Sequence, residues 1–185
     1  WGADGHPYIA SGMVLQVVNV LHDDHINSTN SDWEFVPSLS ASITPRFTSS
    51  KILIQPIFHV GATTYGGGAQ YGVLFTGHRG ETSGDTKYAA NITDLPVAAS
   101  QSGRDSVKLA SFGVASQIFG NYDILTTNWN YLDSPETTAE ITYRFKWGAF
   151  KASDYGRYIN RASYDADDAG VSYYTSTLTL MEIAG

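Results

Sequence analysis

The sequence predicts an all-β fold, an antiparallel jelly-roll-like sandwich, and three observations carry that prediction. From Ala139 to Trp147 the residues alternate, with Glu140, Thr142, Arg144 and Lys146 on one side and Ile141, Tyr143, Phe145 and Trp147 on the other. Successive side chains of a strand point to opposite faces, so this segment has one wet face and one dry one. Runs of this kind recur along the chain between clusters of Gly, Pro, Asn, Asp and Ser, and almost nothing carries a helical period. The composition agrees: 12 Tyr, 8 Phe and 4 Trp, charged residues at only 16%, and abundant small and hydroxyl side chains suit an extended β-protein.

Taken in order, residues 1–11 (WGADGHPYIAS) read as a linker or N-terminal arm. The β-branched run GMVLQVVNVL begins the domain, which extends over 12–185. LSASIT places Leu39, Ala41 and Ile43 on one face before Pro45 ends the strand. KILIQPIFHVG is apolar on both faces, as a central strand is, but Pro56 removes a ladder donor and predicts an edge or a bulge there. AQYGVLFTG, SFGVASQIF and NYDILTT supply further strands. The terminal STLTLMEIAG sets Leu178, Leu180 and Glu182 against Thr177, Thr179, Met181 and Ile183. Between Thr76 and Ser111 the rhythm breaks into a long excursion rich in Gly, Ser, Asp and Thr. Connections of this length inside a domain are usually either binding loops or solvated insertions. On the first reading Arg79, Lys87, Tyr88 and Arg104 are its receptor-binding handles.

At 185 residues the chain forms one domain, and with no cysteine it has neither a disulfide framework nor a thiolate metal site. The net charge of −7, with no cluster of Lys or Arg, argues against nucleic acid or an anionic membrane surface as a partner. The longest apolar stretch, Met13–Leu21, is too short for a membrane-spanning helix, and no basic leader precedes it.

Chemical constellations are few. His22-Asp23-Asp24-His25 has metal-ligand residue types, but neighbours on a strand diverge, and a polar turn is the simpler reading. Asp165 to Gly170 begins like a calcium loop, yet Ala169 and Ser176 stand where that loop needs further ligands. YGGGAQYG lacks both the Lys-Ser/Thr pair and the following helix of a phosphate cradle. No nucleophile elbow and no zinc-protease motif occurs. The chain is therefore expected to have no catalytic residues, no metal and no cofactor.

The segments GMVLQVVNV, LSASITPRFTSSKILI, LDSPETTAEITYRFKWG, YINRASYD and STLTLMEIAG, in this order, resemble a family of virion structural proteins from phages of marine bacteria. The resemblance spans residues 12–185. It departs from the family pattern at LHDDHINSTNSDWEFVP and at GVLFTGHRGETSG. It implies a jelly-roll domain at the end of a tail fibre or similar appendage, assembled as a homotrimer with other virion proteins and located on the phage particle. Within YINRASYD it singles out Asn160 and Arg161, as structural groups at a strand end, as contacts to a neighbouring subunit, or as ligand contacts. The crowding of Phe145, Trp147, Phe150, Tyr155, Tyr158, Tyr164, Tyr173 and Tyr174 in the last third also favours a subunit interface, against the alternative that they rim a monomer core. Two roles follow: attachment to a host-surface glycan or protein, or a purely structural decoration of the particle.

Overall fold

The structure, a computed structural model, describes residues 9–30, 34–62, 73–80, 93–94, 124–149, 156–164 and 172–185. No helix occurs among them. The strands are β1 (Val14–His22), β2 (Ile26–Ser28), β3 (Glu34–Ile43), β4 (Lys51–Ala62), β5 (Val73–Gly80), β6 (Thr93–Asp94), β7 (Leu125–Asn128), β8 (Tyr131–Asp133), β9 (Ile141–Ala149), β10 (Arg157–Ile159) and β11 (Ser176–Ile183).

They form two antiparallel sheets. The larger, of seven strands, runs β1-β11-β4-β10-β2, with β7 and β8 also on β4; the smaller, of four, runs β3-β9-β5-β6. From β3 onward the chain passes repeatedly from one sheet to the other, which gives the jelly-roll-like strand order of an antiparallel sandwich. The predicted all-β antiparallel fold is thus observed.

Alternation sets the core. Ile141, Tyr143, Phe145 and Trp147 of β9 and Leu39, Ala41 and Ile43 of β3 face inward onto Ile52, Ile54, Phe58, Leu178 and Leu180 of the larger sheet. At the centre Phe58 stacks on Phe75 with centroids 4.1 Å apart, while Phe145 meets Phe58 edge-on at 5.3 Å and Trp129 at 5.6 Å. Rings from both sheets therefore lock the two layers together in geometries that aromatic quadrupoles favour.

Pro56 departs from expectation, since it lies neither at an edge nor in a bulge. Its strand, β4, is the most connected in the molecule and pairs with Leu178 of β11 at this residue. The backbone nitrogen of His59 donates to Ser176 Oγ, and the His59 carbonyl accepts from the Asn160 nitrogen. Backbone groups alternate sides along a strand, so odd residues of β4 address β11 and β10, and even ones, Pro56 included, address β7 and β8. There the partner strand is interrupted. Asn128 pairs with Ile57 and Tyr131 with Ile54 in one unbroken register, and Trp129–Asn130, opposite Pro56 and Gln55, drop out of the ladder. The missing proline N–H is accommodated by the gap that separates β7 from β8, and Gln55 Nε2 bridges it to Asn130 Oδ1 at 3.0 Å.

Of the excursion at 76–111, the described residues are 76–80, which complete β5, and 93–94, which pair with it. SFGVASQIF lies outside the described residues.

Candidate functional site

The buried polar groups determine which side chains remain for partners. Asn160 follows β10 with φ of 65°, in the left-handed region that asparagine tolerates. It is fully buried. Its Nδ2 donates to the carbonyls of His22 at 2.7 Å and Asp24 at 3.0 Å, and its Oδ1 accepts from Ser176 Oγ at 2.6 Å. The Asn160 carbonyl accepts from the Tyr174 nitrogen at 3.0 Å. One side chain thus closes the junction where β1 turns toward β2, β10 ends and β11 begins. Close by, a Cβ on Gly61 would come within 2.5 Å of the Arg161 carbonyl oxygen, so the chain passes β4 here only because this residue is glycine. The Arg161 guanidinium lies 4.9 Å from the Tyr158 ring, and its Nε donates to the Ala162 carbonyl.

Arg79 occupies a second node. Its Nη1 contacts both oxygens of Asp133, at 3.0 and 2.8 Å, and the Tyr143 hydroxyl donates to Asp133 Oδ2 at 2.7 Å. Arg79 and Tyr143 are cross-strand partners in the smaller sheet while Asp133 belongs to the larger one, so this triad ties the two layers. Burial and the neighbouring Asp133 carboxylate push the Tyr143 hydroxyl far above the ordinary phenol range. Sequence reading places Arg79 on a loop, whereas its guanidinium is held between the sheets. Lys87, Tyr88 and Arg104 lie outside the described residues.

Trp147 is fully buried in β9, with the Arg157 guanidinium over its ring at 4.8 Å. Arg157 donates to Glu34 Oε1 at 2.7 Å and to the Asn30 carbonyl at 2.6 Å. Burial alone would raise Glu34, but hydrogen bonds from Ser28 and Asn30 and the charge of Arg157 outweigh it and hold the carboxyl below its usual range. Glu182 is also fully buried. It accepts from the Arg46 nitrogen and Ser50 Oγ, both at 2.6 Å, and from Gln16 Nε2 at 2.7 Å. Those bonds overcome the upward push of burial and keep it ionised.

The HDDH segment does not converge. His22 is buried, and desolvation lowers its pKa despite Asp24 and Asp23 nearby. His25 is exposed and stacks on Tyr173 at 4.0 Å. Among the described residues no group of three or more His, Asp or Glu is placed to hold a metal ion; Asp165–Gly170 lie outside them. Of the late aromatics, Phe145 and Trp147 are core, while Tyr164, Tyr173 and Tyr174 are exposed. Phe150 and Tyr155 are outside the described residues.

Asp133, Arg157, Ser176 and Glu182 were not singled out by sequence reading. Glu182 had a legible signal, a carboxylate in phase with Leu178 and Leu180 on a dry face. Asp133 had none, since its partners lie on strands of the other sheet.

No protein-family model and no curated protein matches the chain. Among solved structures, that of infectious bursal disease virus Gx strain aligns with a TM-score of 0.47 at 13% identity, over 95% of this chain and 33% of that one. The VP2 subviral particle of infectious bursal disease virus aligns with a TM-score of 0.42 at 12% identity, over 92% of this chain and 37% of that one. The chain thus spans about a third of the length of these proteins.

Proposed function

We propose that the chain is a structural protein of a phage particle, the distal domain of a tail fibre or similar appendage, working as a homotrimer and attaching to a host-surface glycan or protein. One observation supports this reading above the rest. The segments that resemble the phage family fall in sequence on the strands of the sandwich: LQVV in β1, SITP at the end of β3, SSKILI at the start of β4, INR at the end of β10 and STLTLMEI as β11. The polar residues they contain serve the fold, as Asn160 and Glu182 do, so the shared pattern is that of a scaffold and not of a reaction centre. On this reading the chain is no enzyme and needs no cofactor. Partner contact then belongs to the excursion at 76–111.

The second role, decoration of the particle without receptor contact, is favoured by the engagement of Arg79 with Asp133, which gives one of the four candidate receptor handles a role in the fold. An antibody to the chain, applied to purified particles under the electron microscope, tests the proposal. Label at fibre tips, with adsorption blocked by excess soluble protein, supports attachment. Even label over the capsid with adsorption unaffected supports decoration, and particles without label sink both.

A further inference from the structure

The outer face of the larger sheet carries ordered transverse rows. Val17, Met181, Leu53 and Leu132 are register partners across β1, β11, β4 and β8, all pointing away from the core. In the next row Asn19 Nδ2 donates to Thr179 Oγ1 at 2.7 Å, Thr179 pairs with Gln55, and Gln55 reaches Asn130. A third row follows: Leu21, Thr177, Ile57 and Asn128. None of these positions bears a charge, on a chain with 18 acidic and 11 basic residues. The outer face of the smaller sheet, by contrast, includes Arg144 and Lys146 on β9.

Val17, Leu21, Ile57 and Leu132 expose 55%, 67%, 38% and 46% of their surface. A concentration of exposed aliphatic side chains on one flat, neutral face marks an association surface. It includes β1, an edge strand of nine residues without charge or proline, whose register shifts once, between Val14 and Gln16.

We infer that this face is the contact surface for a second copy of the same chain, stacked face to face with strands antiparallel. The pattern is self-complementary. An apolar row and a half-apolar row flank a central row of amides and hydroxyls, so a two-fold axis along the central row sets Val17 on Leu21 and Leu53 on Ile57, Met181 on Thr177 and Leu132 on Asn128, and each central amide or hydroxyl on its own copy. Asn, Gln and Thr each donate and accept, and so can pair with their own copies. Lys51 borders one end of the face and Asp23 with Asp24 the other, all exposed; antiparallel stacking turns the basic end of each copy toward the acidic end of its partner. Elsewhere two copies of a chain with net charge −7 repel each other. Four strands about 4.8 Å apart and three rows about 6.8 Å apart give roughly 390 Å² of flat area per copy. A pair of such patches buries roughly 800 Å², the scale of a weak, concentration-dependent contact.

This inference stands on the sheet alone and is independent of the proposed role in a virion. Light scattering on the full chain across a concentration series tests it. The expected mass is an even multiple of 20.1 kDa, two copies, or six if a three-fold contact operates as well. Leu132→Lys is expected to halve that mass, or to weaken association at least tenfold, and so is Asn128→Lys at a solvent-facing polar position that the fold readily tolerates. Ser40→Lys, on the other sheet, is expected to change nothing. A wild-type chain that stays at one or three copies overturns the inference. So does an even-numbered assembly that survives both face substitutions, or one that Ser40→Lys disrupts equally.

Discussion

Asn160 and Asp133 show how single polar side chains hold this sandwich, and their substitutions separate two kinds of cost. Asn160→Gly keeps the left-handed backbone but deletes the three side-chain bonds, an expected loss of about 2–4 kcal/mol. Asn160→Ala deletes the same bonds and adds about 1 kcal/mol of strain at positive φ, so urea unfolding should rank it below the glycine variant. Equal stabilities would show that the backbone at 160 relaxes. Asp133→Ala leaves Arg79 and the Tyr143 hydroxyl without their acceptor between the sheets, with an expected loss of about 3 kcal/mol. Tyr143→Phe, which removes one bond to a charged acceptor, should lose about 2 kcal/mol. For the same reason, reduced host adsorption of an Arg79 variant counts as a receptor effect only if its urea midpoint is unchanged.

Among the elements, Pro56 is the most informative. Pro56→Ala supplies an N–H that faces the gap between β7 and β8, and the unbroken register leaves Trp129 opposite to receive it. Hydrogen exchange should find the new amide at 56 protected to the level of its neighbours in β4; rapid exchange there would mean that the gap has another cause. The alternation of β9 and β11 was legible in the sequence, because a period of two fixes which residues face the core whatever the partner strand. The site of Pro56 was not, because β4 alone does not disclose that its neighbour is two short strands in one register. Arg79 was misplaced among loop residues for a similar reason: its counter-charge, Asp133, is 54 residues away.

For the whole molecule, the buried titratable groups predict two acid transitions. Burial lowers the pKa of His22 and His59 below 6.5 in the folded state. The unfolded chain therefore takes up those protons first, and stability falls as pH drops below about 6.5 toward the folded values. Glu34 and Glu182 are lowered below 4.5, so their contribution is complete above that pH and is lost as pH falls through their folded values. Melting temperature followed from pH 8 to 3 should show a plateau, a shallow decline and then a steeper one. His22→Leu should reduce the shallow limb and spare the steep one; an unchanged profile would remove His22 from the account.

Alternation, turn residues and aromatic content made the sequence sufficient for an all-β sandwich, for the inward sets of β3, β9 and β11, and for a surface low in charge. These are local properties, written in the spacing of neighbours along the chain. The Asn160 junction, the Arg79–Asp133–Tyr143 triad, the buried Glu182 and the neutral rows across β1, β11, β4 and β8 appear only in three dimensions. Nearly all of these contacts join residues far apart in the chain through strand order and register; even Asp133 and Tyr143, ten residues apart, meet only because their strands lie in different sheets.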